Sequence, residues 1–210
     1  GEEFTSLNLN QAIYFHTLGT DQSEDRLIMA DPENPEVSWR SSVSDDGDYL
    51  VIYSSRGTDG NAVHILDLTD PEAEPVAIFE GFANNHSAVG NDGDTFFFQT
   101  DLDAPNQRIV AVSLSDPSTL TDIIAQSEFP ISGASHVGGH LIVRTFENVA
   151  TVVRVYTPAG EAVREVELLG LGVAGGFNGQ PDNPETFYSF TSFNRPGTIY
   201  RYDVETGEST

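Results

Sequence analysis

Short apolar runs, each the length of a β-strand and each closed by turn chemistry, recur along the whole chain. The clearest unit is Ser42–Leu68. A run ending at Val43 is followed by a tight turn at Asp46-Gly47, and then by Tyr49-Leu50-Val51-Ile52-Tyr53. A connection containing Gly57 and Gly60 leads on to Val63–Leu68. Apolar runs separated by Asp-Gly or Gly-rich segments predict antiparallel strands joined by hairpins. The unit returns at a spacing of 46 residues: Asp46-Gly47 becomes Asp92-Gly93 and then Gly138-Gly139, with Asn183-Pro184-Glu185 as a looser fourth copy. In parallel, Leu50-Val51-Ile52 becomes Phe96-Phe97-Phe98, then Ile142-Val143, then Tyr188 with Phe190. Asp70-Pro71 recurs as Asp116-Pro117.

A repeat of this length built from strands and turns predicts an all-β fold, a β-propeller of four-stranded antiparallel blades. The register predicts a half-blade over residues 8–30, with strands Ile13–Leu18 and Arg26–Ala30. Blades follow over 39–79, 84–125 and 132–168, and a three-stranded one over 173–203. Both ends are expected to fall inside a blade, so the chain reads as an incomplete propeller with a polar segment at Gly1–Asn10. Strict alternation of apolar and polar positions is lost in Phe96-Phe97-Phe98 and Leu141-Ile142-Val143, as expected for strands covered on both faces by neighbouring blades.

Charge narrows the partners. Asp and Glu number 33 against nine basic residues, all of them Arg, for a formal net charge of -24. Such a surface repels phosphate backbones and anionic headgroups, so neither nucleic acid nor membrane is an expected partner. The acids are scattered, which fits a solvated surface suited to a saline environment better than a clustered cation site. There are no cysteines, so disulfides and thiolate metal sites are excluded.

Candidate chemistry is sparse. No Gly-x-Ser-x-Gly elbow occurs; Gly133-Ala134-Ser135-His136 comes nearest but precedes a β-turn. His136 and His140 have the spacing of helical zinc ligands. A hairpin at Gly138-Gly139 would instead pair Val137 with His140 and turn His136 to the opposite face. Asp45-Asp46-Gly47-Asp48 and Asn91-Asp92-Gly93-Asp94 lack the spaced carboxylates of a calcium loop and read as turns. The glycine-rich run Gly170–Gly179 has no strand–helix context for holding phosphate and predicts close backbone approach in a strand. No cofactor and no metal are expected.

Three stretches resemble the propeller of the prolyl oligopeptidase family of serine peptidases: IYFHTLGTDQSED at Ile13–Asp25, SVSDDGDYLVIYSSRGTD at Ser42–Asp59, and FYSFTSFNRPGTIYRY at Phe187–Tyr202. Ala104-Pro105-Asn106-Gln107-Arg108 agrees as well. The resemblance implies roughly four to five of seven blades, in a propeller that caps an α/β-hydrolase domain of the same polypeptide and restricts access to short peptide substrates. It places the Ser-Asp-His triad in that other domain, so no catalytic residue is assigned here and this segment is expected to be inactive alone. It also implies that Ser38 and Thr58 stand in the wall of a substrate pocket distant from the cut bond, with Ser55 a nearby polar contact. The alternative is a free-standing propeller that binds protein or glycan through loops on one face.

Overall fold

The computed structural model describes residues 8–210. The polar segment expected at Gly1–Asn10 therefore lies outside the described residues up to position 7. The described residues form seventeen strands and one short 3₁₀ turn at Gln22–Glu24. They divide into two compact units, with the boundary between His86 and Ser87.

In the first unit, β1 (Ala12–Phe15) pairs with β2 (Arg26–Ala30). The connection between them is tied by Asp21, which caps the 3₁₀ turn through Ser23 N, and by a 2.7 Å contact of His16 Nδ1 with Asp25. Beside this pair runs an antiparallel meander of β3 (Ser38–Val43), β4 (Tyr49–Ser55), β5 (Ala62–Asp67) and β6 (Val76–Phe79). Its first hairpin turns at Gly47, which adopts φ +83°. Only glycine takes that conformation without a steric penalty, so the Asp46-Gly47 dipeptide sets the register that pairs Val43 with Leu50 and Ser38 with Ser55.

The second unit repeats the meander. β7 (His86–Asp92), β8 (Thr95–Thr100), β9 (Arg108–Ser113) and β10 (Asp116–Ile124) form one sheet. β11 (Ile131–Val137), β12 (His140–Glu147), β13 (Ala150–Tyr156) and β14 (Ala162–Glu165) form the next. β15 (Val173–Asn178), β16 (Glu185–Ser192) and β17 (Arg195–Asp203) form a three-stranded sheet. Sequential four-stranded meanders with tight first hairpins are the blades that the 46-residue repeat predicts. Gly93 (φ +57°), Gly138 (+54°) and Gly139 (+66°) occupy the turns equivalent to Gly47.

Burial explains the lost alternation. Leu141 and Val143 pack with Phe97, Ile109 and Ile131 on one side of β12. Ile142 faces the other way and joins Val153, Val155, Phe177, Tyr188 and Phe190. A strand with packed sheets on both faces has no polar side, and each fully buried apolar side chain contributes about 1.5–3 kcal/mol. Phe177 stacks on Tyr188 at 4.5 Å, and Tyr188 on Tyr200 at 5.4 Å, a ladder of rings that ties the three strands of the last sheet together. In the glycine-rich run, a methyl group on Gly172 would collide with the backbone of Thr191 and the ring of Phe190. That is the close backbone approach the sequence predicts.

Two elements depart from their expected spans. β1 ends at Phe15 rather than Leu18, because Thr17 already closes a turn by accepting a hydrogen bond from Thr20 N. β10 starts at Asp116 itself, so Asp116-Pro117 opens the strand and does not serve as a turn before it as Asp70-Pro71 does. Its pairing with β9 is broken between Asp116 and Thr121 and again between Asp122 and Ile124, as suits a bulged edge strand that tolerates Pro117.

Candidate functional site

The hairpin register of the first unit brings several polar side chains to one place. Arg40 lies opposite Tyr53 and Ser38 opposite Ser55, and alternate residues of a strand share a face. The Arg40 guanidinium lies over the Tyr53 ring, 4.7 Å from its centroid, a cation–π contact on a partly open sheet face. Beyond Ser55 the chain turns through residues 56–61 into β5. The result is a cleft of about 220 Å³ whose lining includes Arg40, Tyr53, Ser55, Thr58, Asn61 and Asn85.

The floor of the cleft is held firmly. Asn61, 9% exposed, donates through Nδ2 to His86 O and accepts through Oδ1 from His86 N, both at 3.0 Å. A second tie runs from Asn61 N to Asn84 O at 2.9 Å. His86 is itself fixed by stacking on Phe79, with ring centroids 3.8 Å apart. Gly60 leaves room for this approach: a methyl group there would strike the backbone carbonyls of Phe82 and Asn84. Arg56, at the start of the turn, reaches Glu36 at 3.6 Å.

Of the residues implied by the resemblance, Ser55 and Thr58 line the cleft together, Ser55 half-buried and Thr58 exposed. Ser38 is exposed at the start of β3, directly across from Ser55, and is not part of the lining. Arg40, Tyr53 and Asn61 were not singled out from the sequence. The signal for the first two is arithmetic: once Asp46-Gly47 is placed in the turn, the pairing of Arg40 with Tyr53 follows.

The other sequence candidates have structural roles. Ser135 donates its hydroxyl to Phe177 O at 2.5 Å, so its proton is committed to a carbonyl of the neighbouring sheet. His140 pairs with Val137, and its Nδ1 lies 2.7 Å from Gly138 O. His136 is buried opposite Leu141, edge-on to Phe97. In the turn after β3, Asp46 accepts from Asp48 N at 3.0 Å, an Asx turn and not a cation loop. Among the described residues no group of three or more His, Asp or Glu is placed to hold a metal ion.

Comparison with known proteins agrees with this architecture over its whole length. The sequence pattern described as "Prolyl oligopeptidase, N-terminal beta-propeller domain" matches residues 1–210. A prolyl endopeptidase of Elizabethkingia miricola is 35% identical over 211 residues, covering all of this chain and 30% of the relative. Prolyl oligopeptidase A of Galerina marginata is 27% identical over 204 residues, covering 94% of this chain and 28% of the relative. Among solved structures, one from a study of two prolyl endopeptidases superposes with a TM-score of 0.90 at 32% identity, over 97% of this chain and 30% of that one. Prolyl oligopeptidase B of Galerina marginata, bound to a 25mer macrocyclization substrate, gives a TM-score of 0.85 at 25% identity, over 96% and 29%. The chain thus spans about 30% of the length of the prolyl endopeptidases it matches. With the blade repeat, the sheet topology and the full-length match in agreement, the chain belongs to the prolyl oligopeptidase family, as its N-terminal β-propeller domain.

Proposed function

We propose that this chain is the gating, substrate-filtering portion of a serine endopeptidase that cleaves short peptides after proline, and that it is catalytically inactive by itself. The observation that carries this reading is the match of residues 1–210 to the propeller domain alone, within relatives whose names are prolyl endopeptidases. The partner domain would then be an α/β-hydrolase domain of the same polypeptide, and it would supply the Ser, His and Asp. Inactivity of the segment alone is supported by Ser135, whose hydroxyl is engaged by Phe177 O and so has no base to activate it.

In this reading Thr58 and Ser55 contact the part of the peptide remote from the cut bond, and Ser38 lies just outside them. Arg40 adds a charge and Tyr53 an apolar face to the same cleft. Small hydroxyl side chains leave the cleft roomy and polar, so a bulkier residue at 58 would reshape it without touching the chemistry. In the full-length protein, Thr58→Met should alter kcat/KM for a proline peptide extended by an apolar residue, by about 1–3 kcal/mol in transition-state terms, and leave the unextended peptide nearly unchanged. Equal effects on the two peptides would show that Thr58 acts through folding or gating, and would remove the pocket assignment.

A further inference from the structure

Arg144 is out of place in so acidic a chain. Among the described residues, Arg56, Arg108, Arg154 and Arg201 each meet a carboxylate, Arg26 and Arg164 donate to backbone carbonyls, and Arg40 lies over Tyr53. Arg195 is exposed. Arg144 is half-buried, its Nε is sealed from solvent with no hydrogen-bond partner, and no ion pair reaches it. Buried guanidinium groups are ordinarily paired, because removing the charge from water is costly unless an anion or several acceptors replace the lost hydration.

Arg144 lies where two sheets meet. Arg144 shares a face of β12 with Ile142, so it points into the groove between that sheet and the sheet of β15–β17. The residue opposite it on β11 is Gly133, where a methyl group would strike Nη2 and come within 3.0 Å of Cζ. Across the groove lies Gly175, whose Cβ position would be 3.9 Å from Nη1 and 3.8 Å from the hydroxyl of Ser189. That hydroxyl donates weakly to Gly175 O at 3.4 Å. Gly133 thus makes room for the guanidinium itself, and on the far side Gly175 offers no side chain between Nη1 and the Ser189 hydroxyl. Burial lowers the pKa of Arg144, and no nearby acid opposes the effect.

We infer that the groove between β12 and β15 is a carboxylate-binding site, in which the guanidinium of Arg144 takes a carboxylate beside Gly175 and Ser189. The planar fork matches a carboxylate in two parallel charge-assisted hydrogen bonds, which a neutral amide cannot reproduce. The carboxylate comes either from a peptide ligand or from an Asp or Glu of the same polypeptide outside residues 1–210.

The test uses the full-length protein and a proline-free tetrapeptide, prepared with a free C-terminal carboxylate and as its amide. Being proline-free, it tests this site whether or not the protein cleaves after proline. Binding is measured by calorimetry on wild type and Arg144→Met, and both proteins are melted without peptide. If the ligand supplies the carboxylate, the acid binds wild type about tenfold more tightly than the amide, and Arg144→Met binds the two alike. If the polypeptide supplies it, acid and amide do not differ, and Arg144→Met melts below wild type because a buried carboxylate has lost its partner. Equal binding of acid and amide, together with an Arg144→Met variant that melts at or above wild type, overturns the inference. Should Arg144→Met fail to fold, Arg144→Lys keeps the charge without the fork. It must then lower either the acid preference or the melting temperature; no change in both is equally fatal.

Discussion

Removing the side-chain amide of Asn61 tests whether the candidate cleft is held from below as described. That amide makes two 3.0 Å bonds to the backbone of His86, one as donor and one as acceptor, at residues only 9% and 5% exposed. A typical intramolecular hydrogen bond contributes about 0.5–1.5 kcal/mol, and leaving buried polar groups short of a partner adds about 1–3 kcal/mol. Asn61→Ala should therefore weaken the junction between β5 and the segment at Asn84–His86 by about 2–4 kcal/mol. Hydrogen exchange followed by mass spectrometry on the full-length protein reads this locally, since the His86 amide is one of the bonded groups. Where exchange follows the opening equilibrium, about 2 kcal/mol corresponds to roughly a thirtyfold faster rate. Peptides covering β11–β13 should exchange as in wild type, which separates local loosening from global unfolding. Unchanged exchange at His86 in Asn61→Ala would refute the bridging role, and with it the view that the Arg56–Gly60 turn rests on a fixed floor.

Two further outcomes follow from charge. With a net charge of -24 and no Lys, self-repulsion should be relieved by salt, so the melting temperature should rise from dilute buffer to molar NaCl by more than for a near-neutral propeller; a flat or falling response would mean that the acids are already compensated. Glu147 accepts from Arg154 at 2.6 Å and from Thr145 at 2.6 Å, and the Arg154 bond holds its pKa below the usual Glu value. A depressed folded-state pKa contributes stability above the unfolded value, and that stability disappears as pH falls through the folded one. Glu147→Gln should therefore cost about 1 kcal/mol or less at neutral pH, with the difference from wild type closing on acidification; a difference independent of pH would rule out the ionised pair as its source.

The turns were the legible part of this fold. Asp46-Gly47, Asp92-Gly93 and Gly138-Gly139 each place glycine at a positive φ that other residues resist, so local chemistry alone positions the first hairpin of three successive sheets. The double-sided burial of β12 was legible too, because a run without a polar face has to be covered twice. Edges were harder. Asp116-Pro117 looks like the turn at Asp70-Pro71, yet it begins β10, since an exposed edge strand is set by its neighbour's free hydrogen bonds more than by its own composition. Leu50 is only half-buried where Phe96 and Ile142 are fully buried, although the repeat makes the three equivalent. The cleft was legible only by halves. Thr58 and Ser55 came from resemblance, whereas Arg40 and Asn61 depend on a cross-strand pairing and on a contact 25 residues away, which no local pattern encodes. Arg144 gave no sequence signal, because its lack of a partner is a property of the assembled groove.

The gating role is tested most directly by the size of what the full-length protein cleaves. The two substrates to compare are a short peptide with one proline and a long unfolded polypeptide carrying the same residues around that proline. A substrate-filtering propeller predicts cleavage after proline in the short peptide, little or none in the long one, and no cleavage of either by residues 1–210 alone. Equal kcat/KM for the two substrates in the full-length protein would contradict it.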